Sequence, residues 1–190
     1  EAPKRIAAKA APRPKPAPKP KKAVEPGQRF SALLSEGDDP VTRDMRWDVY
    51  EAEQNPDGKR KHVAGTYNAQ PKFVLKPGKF LVVAKYGNAS VSREFDVASA
   101  GEAKKHVLIL NAGLLALKAS FAEGGEIIKR GMRWDVYRPE KDADGKRTSV
   151  IGNYANTPVF KLPAGTFFVV AKTGNAVVSG EVEVKPGERT

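Results

Sequence analysis

The chain has 190 residues, a formal net charge of +11 and no cysteine, so neither disulfides nor thiolate metal sites can stabilise it. No apolar run approaches the ~18 residues of a membrane-spanning helix. The charge is a nucleic-acid signal only until it is located: residues 1–29 hold nine Lys or Arg against Glu1 and Glu25, hence +7, which leaves +4 for the other 161 residues.

Taken in chain order, the first element is this basic tail, residues 1–28. It is rich in proline and alanine and carries no aromatic residue, so it cannot bury enough surface to offset its chain entropy and is expected to be disordered. The alternation "PRPKPAPKPKK" favours polyproline II, giving a semi-rigid spacer on the order of 35 Å long. Tracts of this kind resemble both the periplasm-crossing linkers of TonB-type proteins and the basic tails of linker histones. Glu1 at the start suits either a processed secreted protein or a shortened chain.

The remainder is written twice. "MRWDVY" occupies residues 45–50 and again 132–137, and an offset of 87 aligns residues 30–98 with 117–185 without a gap. Roughly half of those positions are identical, which is self-similarity at a fixed period. Such a period is too long for a solenoid repeat and sufficient for a domain with its own core. Two domains are therefore expected, at 29–111 and 112–190.

Within each copy the apolar period is two. Met45, Trp47 and Val49 share one face of a strand, Arg46, Asp48 and Tyr50 the other, and "DGK", "KPGK" and "PAGT" supply turns. Strands are predicted near 29–36, 44–52, 61–67, 72–75, 79–86, 90–97 and 105–110, the first six recurring one period later. Short strands at this spacing predict an all-β chain of two tandem immunoglobulin-like β-sandwich domains. Between the copies, "VLILNAGLLALKAS" breaks only at Asn111, Ala112 and Gly113, which predicts a short, restricted joint.

The series "ALLSEG", "MRWDVY", "DGK" and "PKFVLKPGKFLVVAKYGN" resembles the bacterial carboxypeptidase-regulatory-like, or prealbumin-like, sandwich across residues 29–190. The resemblance implies a secreted or periplasmic bacterial module with a spacer, adhesion or binding role. Trp47 departs from that pattern, which usually has an aliphatic residue there.

No chemistry-bearing constellation emerges. His62 and His106 lack a partner nucleophile and read as surface or strand-filling side chains. "EKDADGK" imitates half a calcium loop, but Ile151 stands where a bidentate Glu is needed, so a hairpin turn is the simpler account. No phosphate loop occurs. The expectation is a protein that is not an enzyme and carries no cofactor or metal.

A surface remains. The strands "KFLVVAKYG" and "TFFVVAKTG" are apolar on both faces, which predicts either cover by a loop or the neighbouring domain, or an exposed docking patch. The candidate partner-binding residues are Arg46, Tyr50, Leu81, Val83 and Lys85 in the first copy. Arg133, Tyr137, Phe168, Val170 and Lys172 are their counterparts in the second. The expected partner is a protein or an anionic envelope polymer; the alternative is a nucleic-acid-associated protein that uses its basic arm. Finally, the first copy closes with "KKHVLIL", whereas the second reaches "GERT" at its end, so its closing strand is expected to be missing and its edge open to strand addition.

Overall fold

The computed structural model describes residues 27–100 and 102–190, so the expected disorder of the basic tail falls outside the described residues. Every regular element among them is a strand. The first copy contains β1 (Gln28–Leu33), β2 (Met45–Gln54), β3 (Arg60–Thr66), β4 (Lys72–Phe73), β5 (Gly78–Tyr86), β6 (Ala89–Val97) and β7 (Lys104–Ile109). The second contains β8 (Ala112–Ala116), β9 (Met132–Lys141), β10 (Arg147–Asn153), β11 (Val159–Pro163), β12 (Gly165–Thr173) and β13 (Ala176–Val184).

The alternation of apolar residues becomes the pleat. Met45, Trp47 and Val49 of β2 are buried, as are Phe80, Val82 and Ala84 of β5, which puts one face of the sheet β3-β2-β5-β6 into the core. A second sheet, β4-β1-β7, closes over that face, with β7 running parallel to β1. At the centre, Phe30 of β1 lies 5.7 Å from Trp47, 5.8 Å from Phe73 and 5.2 Å from Phe95, a cluster in offset and edge-on contact. The second copy repeats the larger sheet as β10-β9-β12-β13, opposite the pair β11-β8. Its core is more aliphatic, because Leu117 and Val182 stand where the first copy has Phe30 and Phe95. The chain is thus an all-β protein of sandwich architecture.

The hairpins use the turn chemistry in the sequence. Asp57 accepts the Lys59 N–H at 3.1 Å beside Gly58, at φ 78°. Asp142 accepts from the amides of Asp144 and Lys146, which uses this side chain for a turn rather than for calcium.

One strand departs from expectation. Shifting the first strand by one period predicts pairing near 116–123, yet β8 is Ala112–Ala116 and pairs with β11 from Ala116↔Val159 back to Ala112↔Pro163. The first copy holds its strand on two edges, with β4 and β7. In the second copy, among the described residues, the backbone bonds of the stretch beyond Ala116 run to Pro158 and Ile128 on one side, and Phe121 emerges 80% exposed.

The joint is as short as expected and is fastened from both sides. Only Leu110 and Asn111 separate β7 from β8, with Asn111 at φ 48°. Lys161 of β11 donates to Asp44 at 2.6 Å and lies 4.7 Å from the Tyr86 ring centroid, while its carbonyl accepts from the Asn88 N–H at 3.0 Å. Asn88 also donates from Nδ2 to the Val150 carbonyl at 3.2 Å. Gly87, at φ 59°, permits this approach, since a Cβ there would sit 2.6 Å from Lys161 Cβ.

Candidate functional site: the outer faces of the two larger sheets

The antiparallel register of β2 with β5 places Arg46 opposite Lys85, Asp48 opposite Val83 and Tyr50 opposite Leu81. That of β9 with β12 places Arg133 opposite Lys172, Asp135 opposite Val170 and Tyr137 opposite Phe168. All ten candidate residues therefore fall on the outer faces of equivalent sheets, five to a copy, and each five are neighbours.

At the centre of each group is a residue that the candidate set lacked. Asp48 is 2% exposed and Asp135 4%, although both stand on the outward-facing side of their strands. Arg46 covers Asp48 with a two-pronged contact, Nε to Oδ2 at 2.9 Å and Nη2 to Oδ1 at 3.1 Å. Arg133 does the same to Asp135, with Nε to Oδ2 at 3.0 Å and Nη2 to Oδ1 at 2.9 Å. Each guanidinium also donates to a tyrosine hydroxyl, that of Tyr67 at 2.7 Å and that of Tyr154. His62 Nε2 approaches Asp48 at 3.4 Å, and Lys172 approaches Asp135 at 3.6 Å. Both tyrosines are 72% exposed, so each face carries a solvated ring anchored by a guanidinium.

The Arg46 hydrogen bond holds the Asp48 carboxyl below its ordinary range against the opposing effect of burial; Arg133, with help from Lys172, does so for Asp135. Because the folded pKa is depressed, each carboxylate contributes stability that is fully present above the unfolded value near 3.8 and is lost as pH falls through the lower folded value. Stability measured by urea denaturation from pH 6 down to pH 2 is accordingly expected to fall below about pH 4, and to fall less steeply in Asp48→Asn. Parallel curves for the variant and the parent would show that the pair makes no pH-linked contribution.

The apolar candidates Leu81, Val83, Phe168 and Val170 are half-buried. In the second copy an arginine on the adjacent strand contributes to that cover. The Arg147 guanidinium of β10 stacks 4.1 Å from the centroid of Phe168. Arg60, its counterpart on β3, reaches across the face to Glu94 at 3.7 Å.

Each central carboxylate is occupied by its arginine, and among the described residues no group of three or more His, Cys, Asp or Glu could hold a metal. A cleft of about 750 Å³ beside β5 includes Glu51 and Glu94, but Lys61 holds the first at 2.8 Å and Arg60 the second at 3.7 Å. His106 is buried elsewhere, stacked 4.7 Å from Phe30 with Nε2 2.7 Å from Gln28 Oε1, and burial lowers its pKa. The sequence did carry a signal for the missed residues: Asp48, Tyr67 and their partners recur at the repeat offset.

No protein-family model matches the sequence, and no curated protein matches it. Among solved structures, the chain is similar to the Bacillus anthracis TIE protein, with 18% identity over 87% of this chain and a TM-score of 0.34; it spans only 33% of that protein. It is also similar to a candidate cell adhesion protein from Bacteroides ovatus, with 8% identity over 85% of this chain and 88% of the other and a TM-score of 0.36. A candidate carbohydrate-binding protein from Bacteroides uniformis matches at 10% identity, over 84% of this chain and 98% of the other, with a TM-score of 0.27. Likeness at this level assigns no function to the chain and leaves its resemblance to the carboxypeptidase-regulatory-like sandwiches short of a family assignment.

Proposed function

We propose that this chain is a non-catalytic binding and positioning module of the bacterial envelope or cell surface. In this reading, sandwich units at 29–111 and 112–190 present their outer faces to a protein or an anionic envelope polymer, and residues 1–28 act as the tether. The observation that carries it is the joint. Lys161 engages Asp44, Tyr86 and Asn88 at once, so the Arg–Asp–Tyr arrangement of one unit is held in a set relation to that of the other. Two equivalent faces on one fixed body favour a ligand that repeats, because the second contact forms at high effective concentration. Lys85 and Lys172 give each face a cation for an anionic polymer.

The test is co-sedimentation with lipoteichoic acid or lipopolysaccharide vesicles at about 150 mM salt, where purely electrostatic attachment of a basic arm is weak. The chain is expected to be retained and Lys85→Ala/Lys172→Ala to lose about tenfold in retention, more than either single substitution. Retention unaffected by the double substitution, or tighter tail-dependent binding to duplex DNA at the same salt, would replace this reading with the nucleic-acid alternative or with a pure spacer.

A further inference from the structure

The smaller sheet of the first copy carries a row of cations. β1 runs between β4 and β7, and the pairings Arg29↔Lys72 and Arg29↔Lys105 set three basic residues side by side across the three strands. Neighbouring strands lie about 4.8 Å apart, so the row spans only about 10 Å. All three side chains are exposed, and strand alternation puts them on the face turned away from the buried Gln28, Phe30, Phe73 and His106.

The second copy does not repeat this row. Its equivalent pairing is Ala116↔Val159, and neither residue is charged. The Arg–Asp–Tyr arrangement survives in both copies, whereas these cations belong to one. Like charges placed opposite one another on adjacent strands weaken a sheet, and among the described residues no carboxylate forms an ion pair with Arg29 or Lys105. A bound anion would relieve that repulsion.

A cleft of about 330 Å³ lies over the row, its walls completed by Ser31, Val107, Pro40 and Gln70. No carboxylate lines it. His106 also borders the cleft, but its Nε2 is 2.7 Å from Gln28 Oε1 and burial lowers its pKa, so it adds no charge. This volume is at the lower end for a small-ligand site and suits one sugar ring.

We propose that this cleft binds a phosphate monoester carried on a single sugar ring. Such a group has close to two negative charges at neutral pH and three terminal oxygens, which matches three cations converging on one point. Arg29, at the centre of the row, offers the planar fork that phosphate accepts in two prongs. Ser31 and Gln70 supply a hydroxyl and an amide for sugar hydroxyls, while Val107, 48% exposed, and Pro40 supply apolar surface for the ring. A nucleic-acid strand calls instead for cations strung along a groove and for exposed rings on which bases stack. Here the rings nearest the row, Phe30 and Phe73, face the core. The site uses none of the candidate residues on the larger sheets, so it and the binding reading fail independently.

The experiment titrates glucose-6-phosphate into the intact chain at about 150 mM salt and follows backbone amide resonances. Saturable shifts are expected at Ser31, Gln70 and Lys105, with a Kd of about 1 mM or below. Arg29→Gln and Lys105→Gln should each weaken binding about tenfold, and neither should lower the melting temperature, because each removes a like-charged neighbour. The double variant Lys85→Ala/Lys172→Ala should bind as the parent does. Glucose-6-sulfate, with one charge, and inorganic phosphate, with no ring, should each bind about tenfold more weakly than the sugar phosphate. The proposal is overturned if no shift saturates below about 10 mM, or if both glutamine variants bind as tightly as the parent, which would assign the binding to the basic tail. Equal affinity for inorganic phosphate or for the sulfate would reduce the cleft to a general anion site, and tighter binding of adenosine monophosphate would make the ligand a nucleotide; either result overturns it as well.

Discussion

Trp47→Ala is expected to cost the first copy about 3 to 5 kcal/mol, and Trp134→Ala to fall at the lower end of that range or below it. The two indoles occupy equivalent places and are 0% and 4% exposed, so equal burial alone would predict equal losses. Their surroundings differ. Trp47 packs 5.7 Å from Phe30 in a core closed by β7, where the aromatic cluster leaves nothing free to collapse into the space of a removed indole. Trp134 lines a cleft of about 290 Å³ that solvent reaches, so truncation there enlarges an existing opening instead of creating a closed void. Since small domains often hold only 5 to 15 kcal/mol in all, the Trp47 loss should leave the first copy marginal. Exchange rates resolved by copy separate the two effects, and both indoles should emit at blue-shifted wavelengths in the parent. A Trp47→Ala loss below about 1 kcal/mol would show that the aromatic cluster does not hold the two sheets together.

The particular residues show which kinds of information a linear reading captures. The strand positions of the first copy were legible because alternation and turn residues are local, and β2, β5 and β6 begin within a residue of their expected starts. β8 was displaced because its extent depends on which strands flank it, a fact held at positions 159–163 and 188–190 rather than in its own residues. The candidate faces were legible as a phase: once β2 alternates, Arg46 and Tyr50 must point together. Their centre was not. Burial of Asp48 on an outward position does not follow from alternation; it is made tolerable by the covering Arg46, itself bonded to the Tyr67 hydroxyl 21 positions further on, and by His62 at 3.4 Å. The pairing of His106 with Gln28 across 78 positions left no local trace, nor did the cover that Arg147 gives Phe168. In each case the missing information was which strands become neighbours. The duplication partly supplied it, because Asp48, Tyr67 and Arg60 all recur.

Gly113→Ala is expected to destabilise the second copy by about 1 to 3 kcal/mol, whereas Gly180→Ala should be neutral or slightly stabilising. A Cβ at residue 113 would meet the Lys185 carbonyl at 2.2 Å, Val184 Cγ1 at 2.9 Å and the Glu188 carbonyl at 3.0 Å; one at residue 180 meets nothing within 4 Å. Two of those three obstacles are backbone, which cannot turn aside as a side chain can. Either β8 or the segment 185–190 must therefore move. The segment is the weaker partner, held by the bonds between Leu114 and Glu188, between Ala116 and Thr190, and from the Gly187 N–H to the Ala112 carbonyl at 2.9 Å. Exchange at Leu114 and Ala116 should accelerate in Gly113→Ala and stay unchanged in Gly180→Ala. Unaltered exchange at Leu114 and Ala116, with stability within about 0.5 kcal/mol of the parent, would mean that residues 185–190 do not dock against β8.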